Sequence, residues 1–203
     1  MVPFMKTKLI MVSVFAFVLS GCAGMSESMQ KSAGVGVVTA DQSDFDCARE
    51  VQMTPAFVAP SDGGMATIKM GLSWRSTTED QVGVLIRFSS LTEYQTISSV
   101  ELNIDGQFYE LEPAEAVTNI DSERLTNTTC TYAAGCTSGL VLKESDKMFL
   151  ASFDVIKKIP SANKALVKVG NGRSYQVGDL LADSYGNVTV LDVLPEFLDK
   201  VER

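Results

Sequence analysis

The chain has 203 residues, with 17 basic and 25 acidic side chains, a formal net charge of −8 and no histidine. An acid excess repels phosphate backbones and argues against nucleic acid as a partner. The lack of histidine excludes Ser-His-Asp, Cys-His and zinc-histidine chemistry, and leaves carboxylates, lysine, serine or tyrosine for any catalysis.

In chain order, Lys6 and Lys8 come first, ahead of an apolar run of eleven residues from Leu9 to Leu19. A membrane-spanning helix needs about 20. A basic start, a short apolar run and small residues at its end describe a secretory signal; a buried helix ending in Gly-Cys is the other reading. The run closes on Leu19-Ser20-Gly21-Cys22. With the charge and the apolar segment in order, residues 5–22 resemble the lipobox signal of bacterial lipoproteins.

That resemblance implies a diacylglyceryl group on the Cys22 sulfur, cleavage before Cys22 and an acyl chain on the new N-terminus, with no other cofactor. Each buried methylene contributes about 0.8 kcal/mol, so one chain binds marginally and two or three bind durably. Ala23 and Gly24, rather than an aspartate, follow the cysteine. By the same resemblance this implies the periplasmic side of the outer membrane. The expected organisation is a removed signal (1–21), a lipidated N-terminus and flexible tether (22–34), and one β-rich domain (35–203). Removing 21 residues leaves 182, a natural length for a single core, with 15 basic and 25 acidic side chains because Lys6 and Lys8 go with the signal. The polar run "AGMSESMQKSAG" has no apolar period, and 12 such residues span on the order of 20 Å as a coil.

With Cys22 assigned to lipid, Cys47, Cys130 and Cys136 remain, in a compartment that permits disulfides. Cys130 and Cys136 bracket "TYAAG" and are the natural pair; a bridge from Cys47 to either is the alternative. The spacing does not suit a C-x-x-C redox site.

The remaining elements speak β. Ile68, Met70, Leu72 and Trp74 alternate with polar residues, and after "STTEDQ" so do Val82, Val84, Ile86 and Phe88, which predicts an antiparallel pair. Asp105-Gly106 is a type I′ turn signal. Folding about it sets Ile104 against Gln107, Leu102 against Tyr109 and Val100 against Leu111 on one face, with Asn103 opposite Phe108 and Glu101 opposite Glu110 on the other. Residues 147–153 predict a strand and "DVIKKIP" a short helical turn. Ala165, Val167 and Val169 lead into Gly170-Asn171-Gly172, with Tyr175 and Val177 on the return. Val190, Val193, Leu194, Phe197, Leu198 and Val201 follow helical spacing; Pro195 suits a first turn, so a start near Leu194 is expected. The fold class expected is mainly β, an antiparallel sandwich-like domain with a short C-terminal α-helix.

Chemistry is thinly signalled. Ser161-Ala162-Asn163-Lys164 fits the S-x-x-K pattern, but the partner elements S-D-N and K-T-G are missing. Asp41, Asp44 and Asp46 gather carboxylates of the kind calcium takes, without the glycine and distal glutamate of an EF-hand loop. The function expected is non-catalytic binding or scaffolding, with an envelope protein or small ligand as partner and the membrane reached through lipid. The alternatives are a carboxylate-dependent, glycosidase-like envelope hydrolase and a calcium-stabilised binding module.

Overall fold

The structure, a computed structural model, describes residues 28–61, 67–124, 129–131, 135–137, 141–184 and 186–203; of 124, 129–131 and 135–137 it describes the backbone alone. The protein is mainly β, a sandwich-like domain of antiparallel sheets with a C-terminal helix. The larger sheet runs β1 (Val38–Gln42), β2 (Arg49–Phe57), β4 (Thr67–Arg75), β5 (Gln81–Ser90), β12 (Val141–Ser152) and β8 (Glu112–Pro113), with β9 (Asn119–Arg124) also on β12. The smaller runs β3 (Ala59–Pro60), β14 (Tyr175–Asp179), β13 (Ala165–Gly170), β6 (Ser99–Ile104) and β7 (Gln107–Glu110). A separate ribbon pairs β10 (Thr129–Thr131) with β11 (Gly135–Thr137).

The core is the meeting of the two inward faces. Ile68, Met70, Leu72 and Trp74 of β4 and Val82, Val84, Ile86 and Phe88 of β5 are buried, opposite one another as their alternation predicts. Val100, Leu102 and Ile104 of β6 and Ala165, Val167 and Val169 of β13 close the core from the smaller sheet. The β6–β7 hairpin has the predicted register from Glu101–Glu110 to Ile104–Gln107, and Asp105 and Gly106 take φ of 49° and 87°, as a type I′ turn requires. The Asp105 carboxylate also accepts the backbone N–H groups of Asn163 and Lys164, both at 2.9 Å, which ties this turn to the entry of β13.

β2 carries a bulge between Met53 and Ala56, where Thr54 and Pro55 stand against Gly71. A bulge tolerates proline because its N–H is not needed for the ladder. A Cβ at Gly71 would lie 3.0 Å from the Met53 carbonyl, so this close backbone approach requires glycine.

Two elements depart from the sequence reading. β12 begins at Val141, six residues before the expected start. Its first half, Lys143-Glu144-Ser145-Asp146, lacks an apolar face and is held instead by cross-strand ion pairs. Arg87 of β5 meets Asp146 at 2.7 Å and Glu144 at 3.3 Å, and Ser89 donates to Glu144 at 3.1 Å. The β13–β14 hairpin forms as predicted, with Tyr175 and Val177 on its outward face, since the residues opposite Val169 and Val167 are Gln176 and Gly178. Secondly, the C-terminal helix α3 spans Val190–Glu202 and contains Pro195 in its interior. The Asp192 carboxylate accepts the Thr189 backbone N–H at 2.8 Å and its hydroxyl at 2.7 Å, which starts the helix a turn earlier than Pro195 suggests. A shorter helix, α2 (Phe153–Lys158), is the helical turn that "DVIKKIP" predicts, and it continues into a 3-10 turn over Ile159–Ser161.

Residues 28–34, grouped with the tether on composition, include a helical segment, α1 (28–32), that is attached to the domain. The Gln30 side chain donates to the Gly186 carbonyl and accepts the Val188 N–H at 2.9 Å. Val35 then packs against the core. A polar run with no apolar period can still dock where its amide side chains meet unpaired backbone groups.

Candidate functional site

The residues singled out in the sequence fall in different places. Cys22 lies outside the described residues. Cys130 and Cys136 stand directly opposite each other in the β10–β11 register, with their side chains outside the described part. Cys47 is a free, exposed thiol in the β1–β2 loop, at φ 55°. Asp41 is on β1, while Asp44 and Asp46 are in the loop that follows. Asp46 is committed elsewhere. Its carboxyl is held below the usual range by the Ser43 hydroxyl, by the Ala48 N–H and by Arg75, whose guanidinium donates to it at 2.7 Å. Among the described residues, no three His, Cys, Asp or Glu side chains converge as a metal site, so these aspartates are not brought together. Ser161 donates to the Lys158 carbonyl at 3.1 Å, and Asn163 and Lys164 follow it into the β13 entry, so the S-x-x-K stretch is a turn. Glu101, opposite Glu110, has Lys168 at 3.6 Å to offset the like charge.

Among the described residues, a cleft of about 450 Å³ lies where the β4–β5 connection, α2 and the end of α3 meet, and a wider, more open one of about 600 Å³ lies beside α1. Trp74, Phe153 and Val201 give the first an apolar lining. Trp74 is the last core-facing residue of β4, and its indole N–H donates to the Glu79 carbonyl at 3.1 Å. The Phe153 N–H donates to the Asp80 carbonyl at 2.9 Å, which fixes the start of α2 beside the turn. Arg49, at the start of β2, donates from its guanidinium to the carbonyls of Lys200 and Val201, and so caps the last turn of α3.

The rim is mixed in charge with acids in excess: Arg49 and Lys157 against Glu79, Asp80, Asp154 and Glu202. Lys157 lies 2.9 Å from Asp154 and 4.9 Å from the centre of the Phe153 ring. The hydrogen bond from Lys157, reinforced by its charge, holds the Asp154 carboxyl below its ordinary range. The same bond, with Glu202 nearby, raises the Lys157 amine. Both groups therefore stay ionised through neutral pH and form an ion pair at the rim. The cleft thus combines an apolar lining from Trp74, Phe153 and Val201 with a charged rim.

A further concavity of about 310 Å³ lies on the outer face of the larger sheet between Arg75 and Leu150 and shares Trp74 with the first. The site draws on β2, β4, the β4–β5 connection, α2 and α3. Its local trace in the sequence is the Asp154–Lys157 spacing, which places opposite charges on one helical face. Comparison of the chain with protein-family models, with curated proteins and with solved structures finds no match.

Proposed function

We propose that this chain is a bacterial envelope lipoprotein, acylated at Cys22 and held at the periplasmic side of the outer membrane. Its sandwich-like domain binds or scaffolds, without catalysis, a small envelope ligand or an envelope protein, and the Trp74 cleft is its recognition site. The observation that carries the anchor is the ordered run of Lys6, Lys8, the apolar Leu9–Leu19 segment and Leu19-Ser20-Gly21-Cys22. Among the described residues no helix is long and apolar enough to cross a membrane, a fact compatible with attachment through lipid. The non-catalytic reading rests on the sequence, which has no histidine and no complete catalytic motif. Metabolic labelling with a fatty acid tests the anchor. Label is expected on the wild-type protein and absent from Cys22→Ser; label retained by the variant contradicts the assignment.

The oxidising compartment that this reading implies also bears on the ribbon. Residues directly opposite in an antiparallel pair have Cα atoms about 4.5–5.5 Å apart, within the range that a disulfide spans. The facing positions of Cys130 and Cys136 support a bridge between them. Peptide mapping without reduction is expected to recover the two cysteines linked, and free thiols at both refute the bridge.

A further inference from the structure

We propose that the protein pairs with a second copy of itself along the open edge of β1, on a two-fold axis at Ala40, and that Phe45 of each copy seats in the cleft beside α1 of the other. The proposal adds self-association to the function proposed above and does not depend on the lipid anchor.

β1 is the first strand of the larger sheet and has β2 on one side only. The bonds at its two ends fix how its backbone is turned. The Val37 carbonyl accepts the Thr54 N–H at 2.9 Å, and the Ser43 N–H donates to the Ala48 carbonyl at 2.8 Å. Odd-numbered residues therefore turn their backbone groups toward β2, and alternation turns those of Val38, Ala40 and Gln42 outward. The Val38 carbonyl, on that outer side, accepts the Lys200 amine at 2.7 Å. Among the described residues, nothing covers the backbone groups of Ala40 and Gln42. Other edges are guarded. β3 and β8 are two residues long and contain Pro60 and Pro113, and β9 carries Asp121, Glu123 and Arg124. β1 has no proline, no basic residue and no bulge in its pairing, and an edge of that kind is a template for another strand.

Charge sets the register. Two antiparallel copies exchange hydrogen bonds only between outward residues. With Ala40 opposite its copy, Val38 stands opposite Gln42 and all three take part. Thr39 then faces Asp41 of the other copy, a hydroxyl donor against a carboxylate, and both are exposed. Shifting the register to set Ala40 against Gln42 would place Asp41 against its own copy, a like-charge pair directly opposite.

The ends of the strand suit the same register. Phe45, in the turn after β1, is fully exposed, and an aromatic side chain offers about 150–250 Å² for burial. The chain before β1 borders the cleft of about 600 Å³, where Gly36, Val37 and Val38 lie with Lys31 and Glu196. A two-fold at Ala40 carries the turn after one β1 to the lead into the other. Counted in register, Asp44 and Phe45 reach the level of Gly36 and Val35, so each ring arrives at the cleft of the other copy. Glu196 is paired with Lys200 at 3.0 Å, and Lys31 supplies positive charge for the incoming Asp44. The exposed ring and the open cleft complement each other at both ends of the pair, as an isologous contact requires.

In this arrangement the two Ala40 Cα atoms lie about 5.5 Å apart, a separation that a disulfide spans. The full chain with Cys47→Ser, which removes the exposed thiol, is expressed with Ala40→Cys or with Thr39→Cys and treated with the thiol oxidant diamide. Ala40→Cys is expected to run as a linked dimer without reductant, and Thr39→Cys to link far less. Co-expression of Thr39→Cys with an epitope-tagged Asp41→Cys chain is expected to give the mixed dimer. Adding Phe45→Ser, at an exposed position, is expected to abolish the Ala40→Cys link while circular dichroism stays unchanged. The pairing is overturned by an Ala40→Cys chain that stays monomeric, links to a different polypeptide or links no better than Thr39→Cys. Failure of the mixed dimer, or a link undiminished by Phe45→Ser, overturns it as well.

Discussion

Gly178 stands on β14 opposite Val167, facing the core, where alternation alone would place a large apolar side chain. It is glycine because Val58, in the crossing segment before β3, already fills that volume; a Cβ at 178 would run into the Val58 Cγ1 methyl. Val58 is stiff at χ1, so it has little room to rotate away. Gly178→Ala is expected to destabilise the domain by about 1–3 kcal/mol, the ordinary cost of overpacking. Chemical denaturation measures it, and an unchanged midpoint would show that Val58 yields freely. Tyr175 and Val177 lie on the outward face of that strand, and nothing local in the sequence shows that Val58 fills the inward side. Asp105-Gly106 was legible because a type I′ turn draws on local backbone chemistry alone, and the register then follows by counting.

At the scale of elements, the legible strands are those whose inward residues are all apolar, such as β4 and β5. The first half of β12 was not legible, because its stabilisation comes from Arg87 on a neighbouring strand rather than from an apolar face of its own. α3 was legible in kind but not in start. An interior proline removes a helix hydrogen bond and costs about 3 kcal/mol. That cost is offset by the burial of Val190, Val193, Leu194, Phe197 and Val201 and by the Thr189–Asp192 cap. Pro195 itself is exposed, so replacing it restores the bond without opening a cavity. Pro195→Ala is expected to raise stability by about 1–3 kcal/mol, read as a higher thermal or denaturant midpoint. A lower midpoint would mean that the proline fixes a bend on which the packing of α3 depends.

For the whole molecule, an antiparallel sandwich-like fold was legible because strands with turn signals between them and no βαβ alternation admit few other layerings. The cleft was not legible, because Arg49, Trp74, Lys157 and Glu202 converge only after the larger sheet and two helices have packed. The docking of α1 escaped detection for a similar reason: Gln30 finds its partners at Gly186 and Val188, more than 150 residues away. The central claim is that this domain is held at a membrane through Cys22. The most direct measurement is the mass of the N-terminal peptide of the mature protein isolated from membranes. The expected result is a peptide that begins at Cys22 and carries a diacylglyceryl group and an amide-linked acyl chain. A peptide that retains residues before Cys22, or one with an unmodified Cys22 thiol, would contradict the account.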